Sequence, residues 1–591
     1  MMFLATSFNA QAKTIYLNTG GTALWETDGA DKFAVWHWQG SGSGQFTDWM
    51  TRVEGSTWQV TISDASDHVI FCRCATTAAA AAWDKVWNQT NDLELSDGLD
   101  LYTITGWGSD KSVGVWSTYG DDPVVPIEPG DYDKAVPNEC MDVMLQAFYW
   151  DSYTDKGYGN TRWETLTSQA GEIGRTFTLV WLPPSHESKG GLGYIPSCYS
   201  TQSSSALGKK AALQTLITSL HYAGARVIAD IVINHCGNKS NACDYNKLNF
   251  GEYGSFEPES SWMTSNDEGV TQYHCSGGSH ADDGQHEANY GPARDWDHKN
   301  TSVQAMCRAY LKWMKNEMLY DGFRFDYCGG YHTSHINDYV SAAKPYFSVM
   351  EYWDGNASNL KARIDDAQKN TLTFDFANMY NAIRDGIAKG SFTKCKNGGL
   401  RGLGYSKYAV TFIDNHDTFG RGSDGTTDIL GKGDGSSINN QKVMLQANAY
   451  ILSLPGVPCV FYPHWVKYKT EIKKMVLARR SAGIHSSSTM TETAGSGYYE
   501  ATVTGKYGEV ILYLGTSATK AAPDGFLTAS KGEGYAMYYT TTHPIVDKGL
   551  EEVTETVPAL DWTEPVYNLL GQPVDETYHG IVIQNGHKYM N

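Results

Sequence analysis

No run of apolar residues in the chain approaches the roughly 18 needed to cross a membrane. Lys and Arg number 46 against 66 Asp and Glu. The first absence excludes a membrane span. The second leaves a formal net charge of −20 and excludes nucleic acid or an anionic lipid surface as the main partner, because both need a basic footprint. The 11 cysteines are an odd number without CxxC pairs or zinc-type spacing. They read mostly as small buried hydrophobes, with a bridge or two whose pairing the sequence does not assign. Proline is scarce, 18 in 591 residues, and Pro123, Pro126, Pro129 and Pro137 gather in one Asp- and Gly-rich stretch, which reads as a stiff linker.

Aromatic residues are abundant: 37 Tyr, 19 Phe and 18 Trp make up 13% of the chain, enough to fill cores and leave rings over for flat ligands. The length implies roughly three or four domains. Residues 1–12 look like the remnant of a signal peptide, since Met1-Met2-Phe3-Leu4-Ala5 leads to Ala10-Gln11-Ala12, a peptidase-type site. They point to bacterial-type export, to a secreted or cell-surface location. Over 13–120, short runs such as Phe33-Ala34-Val35-Trp36-His37-Trp38 alternate with Gly, Ser, Asp and Asn and give a small β-sandwich. The linker is placed at 121–138.

From 139 to 489 the texture changes to apolar strands separated by amphipathic helices. Eight such strands are read, at 143–148, 177–182, 227–233, 322–326, 347–350, 372–376, 409–413 and 457–461, so the expected fold is a (β/α)8 barrel. Residues 236–300 are too long for an ordinary connection and form an inserted domain after the third strand. Residues 490–591 return to strand patterning and are read as a C-terminal β-sandwich. The last 30 residues fit its final strands or, by resemblance, a sorting tail of bacterial type IX secretion.

Working residues of such a barrel sit at the C-terminal ends of its strands. Four strands end in polar clusters: Asp230-Ile231-Val232-Ile233-Asn234-His235, Arg324-Phe325-Asp326, Glu351-Tyr352-Trp353 and Asp414-Asn415-His416-Asp417. Arg324 and Asp326, two apart on a strand, point the same way, so the arginine is expected to hold the carboxylate ionised. Several carboxylates, two histidines and an arginine around an aromatic mouth are the equipment of a glycosidase.

These four stretches resemble the signature regions of the glycoside hydrolase family 13 α-amylases. Gly193-Tyr194-Ile195-Pro196 and Asp295-Trp296-Asp297-His298-Lys299-Asn300 resemble its plant-like branch. The resemblance implies retaining endo-hydrolysis of α-1,4-glucans, with Asp326 as nucleophile, Glu351 as general acid/base and Asp417 as stabiliser of the transition state. It implies that His235, His416, Arg324, Tyr194 and Trp353 contact or support the sugar. It implies Ca²⁺ held by Asn234, Asp295 and the carbonyl of Gly330, a set of oxygen donors that suits that ion. Trp83-Asp84-Lys85-Val86-Trp87-Asn88-Gln89-Thr90 resembles the starch-binding modules of carbohydrate-binding family 26, which makes Trp36, Trp38, Trp83 and Trp87 candidate sugar platforms. The expected partners are starch and related α-glucans, and a monomer is expected. Two alternatives stay open: an α-glucan transglycosylase or oligosaccharide-preferring hydrolase, and a non-catalytic starch-capture protein.

Overall fold

The protein is described by a computed structural model over residues 12–20, 24–26, 31–95, 99–107, 111–119, 127, 130–285, 290–419 and 440–545, with four short strands between 566 and 590. The signal-like residues 1–11 and much of the linker, 121–126 and 128–129, lie outside the described residues. So does most of the tail.

Eight parallel strands close a barrel in chain order: β1 (Met144–Gln146), β2 (Leu179–Leu182), β3 (Arg226–Ile231), β4 (Gly322–Phe325), β5 (Phe347–Met350), β6 (Leu372–Phe374), β7 (Ala409–Phe412) and β8 (Val457–Phe461), which pairs back to β1. All eight expected strands are present. Almost every residue in them is buried, because helices cover the outer face and side chains fill the inner one. Helix α1 (Trp163–Thr176) buries Trp163, Leu166, Ala170 and Ile173. Helix α2 (Lys210–Tyr222) buries Leu213, Leu216, Ile217 and Leu220, the stripe read from the sequence.

The long segment after β3 contains little regular structure. Two small antiparallel pairs, His235–Cys236 with Arg294–Asp295 and Leu248–Asn249 with Ser255–Phe256, organise it. A disulfide joins Cys243 to Cys275 across it. The nine other cysteines are free and buried.

The N-terminal residues form two facing sheets. One has Ser112–Ser117, Leu101–Trp107, Ala12–Asn18, Thr57–Ser63 and Thr51–Glu54 in spatial order; the other is built on Lys32–Trp38 and His68–Cys74. Trp25, Phe33, Val35, Trp58, Phe71 and Trp116 lie between them as a separate core. This unit sits directly on the barrel's helices. Arg175 Nη1 donates to the carbonyl of Trp116 (2.6 Å), and the Thr105 and Ser219 hydroxyls meet at 2.9 Å. A Cβ at Gly171 would stand 2.5 Å from the Trp116 carbonyl oxygen, so α1 can approach this closely only with glycine there.

At the other end, Thr489–Gly495, Tyr498–Thr504, Glu509–Gly515, Tyr535–Tyr539 and Leu527–Gly532 make one antiparallel five-stranded sheet. The expected C-terminal sandwich is corrected here: up to residue 545 the described residues hold a single sheet. Its inner face, Tyr499, Val503, Leu512 and Met537, joins the barrel's own core, so the barrel stands in for a second sheet. Residues 547–591 are a separate unit, whose described strands form a four-stranded sheet.

Candidate active site

Strand register brings the site together. Asp230 on β3 lies opposite Arg324 on β4, and Arg324 lies opposite Val349 on β5. Two residues further along, with the same side-chain parity, come Asp326 and Glu351. Two of the three carboxylates expected to act in catalysis, Asp326 and Glu351, therefore occupy one level at the C-terminal mouth.

Arg324 is fully buried at their centre. Its Nη1 donates to Asp230 Oδ1 (2.8 Å) and Asp326 Oδ1 (2.7 Å). Its Nη2 stands 2.6 Å from Glu351 Oε1, an ion-pair contact off the hydrogen-bond axis. One guanidinium thus spans both catalytic candidates. It is also sandwiched by rings, 5.0 Å from Trp181 and 5.9 Å from Tyr194. Glu351 Oε2 accepts the backbone N–H of Tyr327 (3.2 Å), a residue held at φ +51 immediately after Asp326. A bulky residue in that left-handed region is strained backbone, which surrounding structure must hold.

The expected effect of Arg324 is corrected by burial. Removal from water pushes the Asp326 carboxyl well above the usual range, and the Arg324 charge, although the strongest opposing influence, does not reverse it. Burial likewise raises Asp230 to about 6, again against Arg324. Asp230 and Asp326 share this one cation with Glu351 in a dry site, and for these two carboxyls the desolvation cost exceeds what the cation returns.

His416 and Asp417 arrive on the turn after β7. Gln146 at the end of β1 donates its Nε2 to His416 Nδ1 (3.0 Å), which leaves His416 Nε2 facing Asp417 Oδ2 at 3.3 Å. Asp417 is the most open of the acids, its side chain 27% exposed, and its charge is felt by Asp326 and Tyr194. Tyr194 stacks on His416 (4.9 Å, 9°) and donates its hydroxyl to Asp230 Oδ2 (2.8 Å). Trp353 packs half-buried on Phe376 at 4.4 Å.

His235 is tied into the surrounding loops. Its Nε2 bonds to the carbonyl of Tyr194 (2.9 Å), its Nδ1 faces Asn234 Nδ2 (3.2 Å), and its ring stacks on Tyr290 at 4.0 Å. Burial lowers it to about 4, so it is neutral. In this structure both ring nitrogens tie protein to protein.

The three residues assigned to an ion do meet. Asn234 Nδ2 donates to Asp295 Oδ1 (3.0 Å), and a Cβ at Gly330 would lie 2.2 Å from Asn234 Oδ1. Asp295 is raised to about 8 by burial, with Asp267, Asp282 and Glu268 adding to the shift. A buried carboxyl crowded by other acids beside amide oxygen fits a hard divalent cation.

In the N-terminal unit the alternation of Lys32–Trp38 sends Phe33, Val35 and His37 inward and leaves Trp36 and Trp38 half-buried on the outer face. Trp36, Phe46 and Trp83 form a triangle with centroids 4.9–5.1 Å apart. Trp83 is 44% and Trp87 55% exposed. Arg73 stands over Trp87, while Trp38 stacks separately on His68.

Sequence reading gave no role to Gln146, Trp181 or Asp230, yet these orient His416, cover Arg324 and anchor both Arg324 and Tyr194. The available signal was a hydrogen-bonding side chain at or near the end of an otherwise apolar strand.

A closed parallel barrel with paired carboxylates on one buried arginine is an arrangement that suits a glycoside hydrolase. A family profile described as Alpha amylase, catalytic domain, matches residues 172–373. The chain is 28% identical over 428 residues to Probable alpha-amylase 2 of Arabidopsis thaliana, covering 68% of this chain and 95% of that protein. It is 36% identical over 135 residues to the Alpha-amylase type B isozyme of Hordeum vulgare, 22% of this chain and 78% of that one. Against Alpha-amylase 3, chloroplastic, of Arabidopsis thaliana it is 29% identical over 397 residues, spanning 63% of this chain and 40% of the relative. The chain belongs to the α-amylase family of glycoside hydrolases, enzymes that hydrolyse α-1,4-glucosidic bonds in starch-type glucans.

Proposed function

We propose that hydrolysis proceeds with retention, Asp326 attacking the anomeric carbon while Glu351 protonates the departing oxygen. The carriage of both groups by one guanidinium supports this reading, since a retaining pair must stand about 5–5.5 Å apart. Glu351 then deprotonates the water that releases the sugar. Asp417, the most open acid, faces the oxocarbenium-like transition state. Tyr194 and His416, stacked, form the aromatic floor and Trp353 a wall. His235 serves that sugar through the carbonyl of Tyr194, by fixing the loop.

Asn234, Asp295 and the Gly330 carbonyl would hold Ca²⁺, which neutralises crowded acids and orders the segment 236–300 and takes no part in the chemistry. The Trp36–Phe46–Trp83 triangle with Trp87 is proposed as a starch-binding face, and export from the cell accounts for a polymeric substrate. Endo-cleavage is tested by reducing-end release from soluble starch with and without EDTA, products resolved by size, beside Asp326→Asn. Mixed maltooligosaccharides are expected from the wild type. The variant should fall by about 10⁴-fold or more with binding kept. Activity of Asp326→Asn within tenfold of wild type removes the assignment, and absence of release with starch binding intact favours a capture protein.

A further inference from the structure

The turn that delivers His416 and Asp417 is built around two side chains. Asn415 Oδ1 accepts the N–H groups of Asp417 and Thr418, both at 2.9 Å. Asp414 Oδ1 accepts the Thr418 hydroxyl (3.0 Å), and that hydroxyl in turn accepts the N–H of Asn415 (2.8 Å). Asp414 is therefore the post to which the turn is tied, and its side chain is fully buried.

Behind Asp414 stands His464, from the short helix Tyr462–Lys467 that follows β8. Its side chain is also fully buried, and its Nε2 lies 3.3 Å from Asp414 Oδ2. Among the described residues neither ring nitrogen has a hydrogen-bond partner of good geometry, and the ion-pair contact its ring makes is with Asp414. A buried imidazole without a well-formed hydrogen bond costs free energy. The exit of β8 grips the turn at its other end too: Phe461, on which the His464 ring packs edge-on at 5.5 Å, lies 5.3 Å from Phe419.

We propose that His464 is a positioning residue for the hydrolytic reaction: through Asp414 and Thr418 it fixes the turn that carries Asp417, setting where that carboxylate stands when the transition state forms. The proposal rests on the reading that Asp417 stabilises the transition state. A shift of about 1 Å in such a group costs roughly a hundredfold in rate, and the loss falls on kcat because Asp417's contribution is made in the transition state.

The experiment measures kcat and KM on a chromogenic maltooligosaccharide, with melting temperature, for His464→Phe, His464→Gln, Thr418→Val and Asp417→Asn. Phenylalanine keeps ring volume and loses the donor; glutamine restores a donor near the Nε2 position. His464→Phe and Thr418→Val should lose kcat by about ten- to a hundredfold with KM within about threefold. His464→Gln should recover most of that loss even where its melting temperature matches the phenylalanine variant. Wild-type kcat in His464→Phe, or equal kcat in the glutamine and phenylalanine variants, overturns the proposal. If His464→Phe does not fold, full kcat in Thr418→Val overturns it instead. Activity retained in Asp417→Asn would overturn the underlying assignment of Asp417 and would be recognised separately.

Discussion

Arg324 alone carries much of the chemistry at the residue scale. It is buried among Asp230, Asp326 and Glu351, so it cannot be removed without leaving those charges uncompensated, a change that costs about 3–5 kcal/mol. Because burial raises Asp326 despite that partner, this proposed nucleophile should lose its charge at higher pH than an ordinary aspartate. The acid limb of kcat/KM should accordingly lie above about 4, the usual aspartate value, as an apparent constant of the coupled acids. A limb at or below 4 would show that the Arg324 charge outweighs burial in the free enzyme. His186 tests the opposite sign. Its Nε2 bonds the carbonyl of Gly193 (2.8 Å), and burial lowers it to about 4 from 6.5. Below pH 6.5 the unfolded chain binds the extra proton, so the stability His186 contributes is whole above that pH and is lost as pH falls toward 4. His186→Gln keeps a donor but not the titration; its urea midpoint should drop less than the wild type's between pH 7.5 and 4.5.

At the scale of elements, the disulfide Cys243–Cys275 closes a 32-residue separation within the segment that carries Asp295. Replacing both cysteines by serine should cost about 3 kcal/mol of that segment's stability. The readout is proteolytic nicking within 236–300 while the barrel stays intact; unchanged nicking would mean that packing alone orders the segment. Sequence made the barrel legible because strands buried on both faces write continuous apolar runs, as in Leu179–Leu182 and Val457–Phe461. It made the candidate acids stand out because each follows such a run. It did not reveal what covers the Tyr498–Thr504 strand, because alternation marks a buried face and is silent about its cover; here the cover is the barrel. Nor could it show that His235 spends both nitrogens internally, since its partners Tyr194 and Asn234 are fixed only by the folded loop. The burial cost at Asp326 was hidden for the same reason: spacing reveals a nearby charge but not the loss of water.

At the scale of the whole molecule, the N-terminal unit is packed on α1 and α2 through Arg175, Thr105, Ser219 and Gly171. Removing the residues before 130 should therefore lower the melting temperature of the barrel as well as adsorption to granular starch. A truncated enzyme that melts with the full chain would show the contact to be incidental. The cysteines have a further consequence. All nine free thiols are buried, and burial holds Cys74 up to about 11 and Cys307 and Cys395 up to about 12, so alkylating reagents at neutral pH should label the protein chiefly where it opens. Two of the nine, Cys72 and Cys74, belong to the N-terminal unit, and the remaining seven to the barrel and its insertion. The chain thus carries a built-in tally of its own opening. Mass added by a thiol label distinguishes loosening of the small unit from opening of the catalytic body, without any reporter being introduced.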